Sequence, residues 1–138
     1  MLAGIKHLNR LEQVMAAREL QSLEVDDGLL SDDTGAIVEA VSANLFVRHG
    51  AIVTTPPVSE CGVAGVVREV ILDGAADLGI EIRQGSVRRA DVLLADEVFV
   101  TSSIRGVVPV RSVESVTLAD FSTARTVREY VDAQAVCA

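Results

Sequence analysis

The sequence has few of the residues that build metal sites and disulfides. It contains two cysteines and two histidines among 138 residues. Cys61 and Cys137 lie far apart in the chain and do not have the spacing of metal ligands, so we predict no metal site. A chain of this kind with reduced thiols is typical of the cytoplasm, which is where we place it.

Basic residues and long apolar runs are also scarce. The 12 lysines and arginines are outnumbered by 20 acidic residues, which gives a net charge of −8. A nucleic-acid surface needs a basic patch, so we expect no nucleic-acid partner. No apolar run reaches the length of a membrane span, and the first residues do not resemble a signal peptide, so we expect no membrane partner.

Hydrophobic residues make up 49% of the chain, enough for a folded core, and we predict a single domain over residues 1–138. Strands and helices alternate irregularly, which indicates an α/β fold with a mixed sheet packed against helices. The predicted helices are 9–23 with Asn9 as its cap, 62–78 with Gly79 as its cap, 87–94 and 121–135. The predicted strands are 28–30, 36–42, 44–48, 51–54, 80–84, 97–101 and 107–113, with His49 and Gly50 as a hairpin turn.

Three features follow one another in an order that indicates a cofactor site. Lys6 stands beside a short turn just before the first helical pattern, Glu39 is a lone acid in an apolar strand, and Gly65 lies at a helix entrance. An amine, an acid and a helix N-terminus are what pyridoxal 5'-phosphate requires. The amine forms a Schiff base, the acid keeps the pyridine nitrogen protonated, and the helix end binds the phosphate.

The chain resembles the C-terminal half of the fold-type IV pyridoxal phosphate enzymes, the class IV aminotransferases. This group includes aminodeoxychorismate lyases, D-amino acid transaminases and branched-chain aminotransferases. The matching segments occur in family order along the whole chain: residues 4–12, Glu39 with 44–46, 55–56, 62–68, 95–103 and 109–110. The resemblance implies an α/β pseudo-barrel whose mixed sheet is curled against helices, and it leaves the family's N-terminal domain absent from these 138 residues.

The resemblance also assigns roles to residues. It makes Lys6 the catalytic, Schiff-base lysine and Glu39 the partner of the pyridine nitrogen. It places the phosphate on Gly65 and the backbone amides of Val66 and Val67. A serine hydroxyl on the far side also binds the phosphate, that of Ser103 or less favourably that of Ser102. Arg105 in the same loop is the candidate for a substrate carboxylate.

Each of these residues also has an ordinary interpretation that the sequence leaves open. Lys6 would be a surface lysine near a chain end, Glu39 a solvated edge-strand acid, and Gly65 part of a common helix start. Serines after a strand are frequent in polar loops, and Arg105 would equally face solvent. For two other sites we expect a structural role: Arg68 pairing with an acid such as Glu69 or Asp73, and the neighbours Asp96 and Glu97.

Within the family, the segment that follows Lys6 is most similar to aminodeoxychorismate lyases. The resemblance therefore implies conversion of 4-amino-4-deoxychorismate to 4-aminobenzoate and pyruvate, a step of folate synthesis. D-amino acid or branched-chain aminotransferase activity is the alternative. A third possibility is a non-catalytic fragment, because the family's N-terminal domain contributes an arginine to the phosphate and much of the substrate pocket. We expect an amino-acid-like small-molecule substrate, and either a homodimer or association with the missing domain.

Overall fold

A computed structural model describes residues 10–59 and 61–136. The helices are α1 (Leu11–Leu20), α2 (Val66–Asp73), α3 (Ala75–Leu78), α4 (Arg89–Leu93) and α5 (Ser122–Val136). The strands are β1 (Leu29–Ser31), β2 (Ala36–Ala40), β3 (Asn44–His49), β4 (Ile52–Thr55), β5 (Glu81–Gln84), β6 (Val87–Arg88), β7 (Glu97–Ser102), β8 (Gly106–Pro109), β9 (Ser112–Val113) and β10 (Val116–Thr117). None of the helices in these ranges is long and apolar enough to cross a membrane.

The main sheet has five strands in the order β5-β4-β3-β7-β8. Strands β3, β4, β7 and β8 are joined by antiparallel pairing, and β5 runs parallel to β4 after the chain has passed through α2 and α3. The mixed sheet predicted from the sequence is therefore present. Its central strands β3 and β7 are almost entirely buried, as expected for strands covered on both faces.

Side chains of the central strands alternate between two hydrophobic cores. Leu45 and Val47 of β3 enter one core with Ile37 and Leu118, whereas Phe46 enters the other. The second core is covered by α2 and α5, and at its centre Phe46 stacks on Phe99 of β7 with ring centroids 4.9 Å apart. Because successive side chains of a strand point to opposite faces, one face of the sheet packs against α2 and α5.

A smaller sheet in the order β1-β2-β6 lies beside the main one and carries a bulge. Leu30 pairs with Glu39 and Ser31 pairs with Ile37, so Val38 is an extra residue without a partner in β1. The bulge interrupts regular strand alternation, in which Ile37 and Glu39 would share a face. Ile37 packs in the core with Ala40, and Glu39 lies beside Val38 against Gly62.

Several predicted element bounds are wrong. The hairpin turn between β3 and β4 is Gly50–Ala51 rather than His49–Gly50, because His49 pairs with Ile52. The predicted strand 107–113 divides into β8 and β9, and β9 pairs with β10 in a separate hairpin. The predicted helix 87–94 begins as the strand β6 and turns into α4 at Arg89, where Asp91 accepts a hydrogen bond from the Arg88 amide.

The first two predicted helices are shorter than expected. The helix cap predicted at Asn9 lies outside the described residues, and the described helix follows Arg10. Its apolar residues Leu11, Val14 and Met15 are more than 60% exposed, so the described chain does not cover them. The second helix starts at Val66, four residues after its predicted start. Gly79 is the C-cap of α3, as predicted, and its φ is +65°.

Candidate active site

Glu39 is a buried acid on a central strand of the small sheet. It is only 4% exposed, and β2 has neighbours on both sides, so the solvated edge-strand interpretation is wrong. One carboxylate oxygen, Oε2, accepts a hydrogen bond from the Val63 amide at 2.9 Å. The described residues supply no other hydrogen bond to this carboxylate, which leaves most of its acceptor capacity unused.

The Val63 peptide is held by a second buried side chain. Asn44, at the start of β3, is 5% exposed, and its amide Nδ2 donates to the Val63 carbonyl at 2.7 Å. Both backbone groups of Val63 are therefore hydrogen-bonded to side chains. Its amide donates to Glu39 of β2, and its carbonyl accepts from Asn44 of β3. This segment leads directly into α2, so the acid of β2 and the entrance of α2 are joined through one residue.

The α2 entrance has the geometry of an anion site, although its glycines have another explanation than the predicted one. Val66 and Val67 are the first two residues of α2, whose amides have no partner within the helix and point outward. A Cβ on Gly65 would stand 2.2 Å from Asn44 Oδ1, and one on Gly62 would stand 2.9 Å from Val38 Cγ1. Side chains of the protein therefore explain the two glycines, and the amides of Val66 and Val67 remain the candidate donors to an anion.

Hydroxyl groups lie at the end of β7. Thr101 pairs with Asn44 across the antiparallel strands, is 1% exposed, and has a buried Oγ1 without a hydrogen-bond partner. Ser102 ends the strand, and its hydroxyl accepts a hydrogen bond from the Arg105 amide at 3.1 Å. Ser103 follows in the exposed turn before β8. Hydroxyls and free helix amides form a neutral donor set, which suits an anion such as a phosphate.

Arg105 is fixed beside the small sheet. Its Nη2 donates to Asp27 Oδ2 at 3.0 Å and to the Ser42 hydroxyl at 2.7 Å, and Ser42 also donates to Asp27. Asp27 additionally accepts the Gly28 amide, so the acid is well ordered. Arg105 thus has an ion-pair partner within the chain, and 39% of its side chain is exposed to solvent.

Two residues expected to be structural have several partners among the described residues. Arg68 is 2% exposed and donates to the Pro56 carbonyl, to Gln84 and to Glu69, so its predicted pairing with Glu69 is present. Glu97 is fully buried and accepts hydrogen bonds from Arg48 and from the amides of two residues at the start of α5. Both side chains tie helices to the sheet.

The structure brings some of the predicted site residues together. Glu39 and the entrance at Gly65, Val66 and Val67 are linked through Val63, and Thr101, which precedes the two serines, pairs with Asn44. Lys6 lies outside the described residues.

The sequence assigned no role in the site to Asn44 or Asp27. A possible signal for Asn44 was an amide that begins the apolar run Leu45, Phe46 and Val47.

Residues 1–113 match the amino-transferase class IV family. The chain belongs to this family. It is 36% identical over 115 residues to the aminodeoxychorismate lyase of Vibrio harveyi, a match that covers 83% of this chain and 42% of the lyase. It is also 32% identical over 108 residues to the branched-chain-amino-acid aminotransferase of Escherichia coli, covering 78% of this chain and 35% of the aminotransferase.

A solved structure confirms the predicted fold. The 4-amino-4-deoxychorismate lyase of Pseudomonas aeruginosa superposes with a TM-score of 0.89 at 35% identity, over 96% of this chain and 49% of that one. The α/β architecture of the class IV enzymes is therefore the architecture of this chain. The chain spans less than half the length of each of these three proteins.

Proposed function

We propose that this chain binds pyridoxal 5'-phosphate and acts as the cofactor-binding C-terminal half of an aminodeoxychorismate lyase in the cytoplasm. The observation that carries the proposal is the doubly held Val63 peptide. It joins a buried carboxylate, Glu39, to the free amides of a helix entrance at Val66 and Val67. An acid for a protonated ring nitrogen and an anion site for a phosphate are the two ends of one such cofactor site.

The described residues fit the two ends of the cofactor. The Val66 and Val67 amides and the hydroxyls of Ser102 and Ser103 would hold the phosphate, each neutral contact contributing roughly 1 kcal/mol. Glu39 would hold a proton on the pyridine nitrogen, because its buried carboxylate has acceptor capacity that the described chain leaves unused. When bound, the cofactor supplies an electron sink at the substrate carbon.

Lys6 is the proposed covalent anchor of the cofactor and the base of the reaction. Once the substrate amine replaces it, its free amine would take a proton from the substrate and return one to it. Arg105 is the proposed ligand of a substrate carboxylate. A guanidinium has five N–H donors, and the ion pair with Asp27 and the bond to Ser42 use Nη2 alone, so others remain for an anion.

Lyase activity is favoured over aminotransferase activity by the segment that begins at Lys6. Lys6-His7-Leu8-Asn9-Arg10-Leu11 follows the lyase pattern, and two of the relatives above carry the lyase name. The proposed products are 4-aminobenzoate, a precursor in folate synthesis, and pyruvate. The similarity to the Escherichia coli aminotransferase supports the alternative, amino-group transfer from a branched-chain or D-amino acid.

The covered share of the relatives suggests that further chain completes the site. Full-length relatives are more than twice as long as the matched part, and we propose that an N-terminal domain or a second copy of the chain contributes to the pocket. A charged arginine contact to a phosphate contributes about 1.5–3 kcal/mol. Residues 1–138 alone should therefore bind the cofactor one to two decades more weakly than a complete lyase, at about 1.4 kcal/mol per decade.

Lys6→Ala tests the cofactor assignment. With pyridoxal 5'-phosphate added, the unchanged chain should develop an absorption band beyond that of the protein, and borohydride should remove the band and leave the label on Lys6. Lys6→Ala should abolish the band. Lys6 is the single lysine of the sequence. A band of the same strength in Lys6→Ala, or a label on the α-amino group instead, would show that the assignment of Lys6 is wrong.

A product assay separates the two reactions. Release of 4-aminobenzoate and pyruvate from aminodeoxychorismate would support the lyase, whereas formation of a new amino acid from a 2-oxo acid would support the aminotransferase. Activity should be low for residues 1–138 and should rise when the N-terminal half of a related lyase is added in trans, because positioning of the substrate supplies much of the rate. If neither activity is detected in that mixture, the non-catalytic alternative is favoured.

A further inference from the structure

The segment between the buried acid and helix α2 is wedged between two strands. Glu39 Oε2 accepts the Val63 amide at 2.9 Å, and Asn44 Nδ2 donates to the Val63 carbonyl at 2.7 Å. Both side chains are at least nine-tenths buried. Moving Val63 would leave polar groups without partners in a buried place, which costs about 1–3 kcal/mol for each group.

Asn44 also sets the position of the residue that precedes α2. Gly65 is the N-cap of α2, with an extended backbone at φ −70° and ψ 139°, and a Cβ there would stand 2.2 Å from Asn44 Oδ1. The two polar atoms of one amide thus face two parts of the segment: Nδ2 donates to the Val63 carbonyl, and Oδ1 lies where a side chain on residue 65 would stand. Any shift of Asn44 would be transmitted directly to the first amides of the helix.

The strand that carries Asn44 is paired to its neighbour and mostly buried. Asn44 pairs with Thr101 of β7, and the next four residues of β3 also pair with β7. The Asn44 side chain is thus anchored on the most buried strands of the main sheet, whereas the helix entrance it holds is open at Val66, which is 69% exposed. A rigid support behind an open set of amides is the arrangement that a preorganised anion site needs.

We propose that Asn44 is the positioning residue of the anion site at the α2 entrance, and that Val63 couples this site to Glu39. The inference rests on the proposed function only in identifying the anion as the phosphate of the cofactor. Asn44 does not touch the phosphate in this proposal. It fixes the amides of Val66 and Val67 in the direction from which they bind the anion, at a constant separation from the Glu39 carboxylate.

The test compares Asn44→Asp with the unchanged chain. Aspartate has nearly the same shape, but it replaces the Nδ2 donor with an oxygen that faces the Val63 carbonyl and repels it. Dissociation constants are measured for pyridoxal 5'-phosphate and for pyridoxal, which lacks the phosphate. The ratio of the pyridoxal constant to the pyridoxal 5'-phosphate constant should fall about tenfold in the variant, the equivalent of one lost hydrogen bond. Pyridoxal affinity should change little.

Two further variants protect the test against simple misfolding. Asn44→Ser removes the amide without adding charge and should lower the ratio in the same direction. Thr55→Val is the matched control, because Thr55 is fully buried on the neighbouring strand β4 and donates to the Leu45 carbonyl at 2.7 Å. It should lower the free energy of unfolding and leave the ratio unchanged. An equal fall in Thr55→Val, or an unchanged ratio in folded Asn44 variants, would overturn the proposal.

A second readout does not depend on the cofactor. Inorganic phosphate added to the ¹⁵N-labelled unchanged chain should shift the amide resonances of Val66 and Val67, and the shifts should be lost in Asn44→Ser. Shifts at these amides in a chain that never reacts with pyridoxal 5'-phosphate would refute the proposed function while supporting the role of Asn44. Absence of shifts in the unchanged chain, or equal shifts in Asn44→Ser, would refute the role of Asn44.

Discussion

Two buried glutamates of this protein have very different surroundings. Glu97 at the start of β7 is fully buried and accepts hydrogen bonds from Arg48 at 3.1 Å and from the amides of Thr123 at 3.1 Å and Ala124 at 2.7 Å. Glu39 on β2 is nearly as buried, yet the described chain gives it a single donor, the Val63 amide.

The difference separates a structural acid from a candidate functional one. Glu97 closes the N-terminus of α5 and pairs with a cation, so its buried charge is compensated within the fold. Glu39 has acceptor capacity left for a group that the fold does not provide. The two glutamates are similarly buried, and they differ in the number of hydrogen-bond donors that the described chain gives to each carboxylate.

Glu97→Gln should have the largest effect on stability. The amide loses the ionic part of three hydrogen bonds, and its NH₂ group must face Arg48 or the α5 amides, so the free energy of unfolding should fall by about 2 kcal/mol. Urea unfolding followed by circular dichroism measures it, since the chain has no tryptophan. Asp96→Asn is the control, because Asp96 is exposed and accepts only the Gly50 amide at 2.7 Å. Equal stability of Glu97→Gln and the unchanged chain would contradict the structural role.

Glu39→Gln should have a smaller effect on stability and a larger effect on chemistry. The glutamine oxygen can still accept the Val63 amide, so the free energy of unfolding should fall by no more than about 1 kcal/mol. Cofactor affinity should stay within about tenfold, or 1.4 kcal/mol. Turnover of a complemented enzyme should fall by more than that, because the ring loses its proton-holding partner. Equal turnover in both forms would remove Glu39 from the reaction.

Asp120→Asn should have the smallest effect and should depend on pH. The Ser122 amide, together with the Ser122 side chain and Arg48, lowers the pKa of Asp120 below its ordinary value. A carboxyl whose pKa is lower in the folded state stabilises the fold above its unfolded pKa of about 3.9, and this stabilisation is lost as the pH falls. The difference in melting temperature between Asp120→Asn and the unchanged chain should therefore be present at neutral pH and vanish in acid. A difference that is constant with pH would contradict the shift.

The sequence predicted the parts of the fold that depend on local periodicity. The strand 44–48, the closing helix 121–135 and the Gly79 cap were predicted close to their observed bounds. Local patterns reach these features because the period of a strand or helix and the φ of a glycine are set by neighbouring residues.

Long-range contacts set the features that the sequence did not predict. The β2 bulge at Val38 depends on the register with β1, and α2 starts late because Glu39 and Asn44 hold Val63 in a non-helical segment. Arg105 was left undecided because its partner Asp27 is 78 residues away. Each of these contacts joins residues that are separated in the sequence, so a local pattern does not predict it.

A pH titration of the attached cofactor tests most directly whether Glu39 is the functional acid of this pair. The cofactor is fixed to the protein by borohydride reduction, and the absorbance of its ring is followed against pH in the unchanged chain, Glu39→Gln and Glu97→Gln. We expect the ring nitrogen to keep its proton to higher pH in the unchanged chain and in Glu97→Gln than in Glu39→Gln. The reason is that a nearby carboxylate favours the cationic ring. The same titration curve in all three proteins would contradict it.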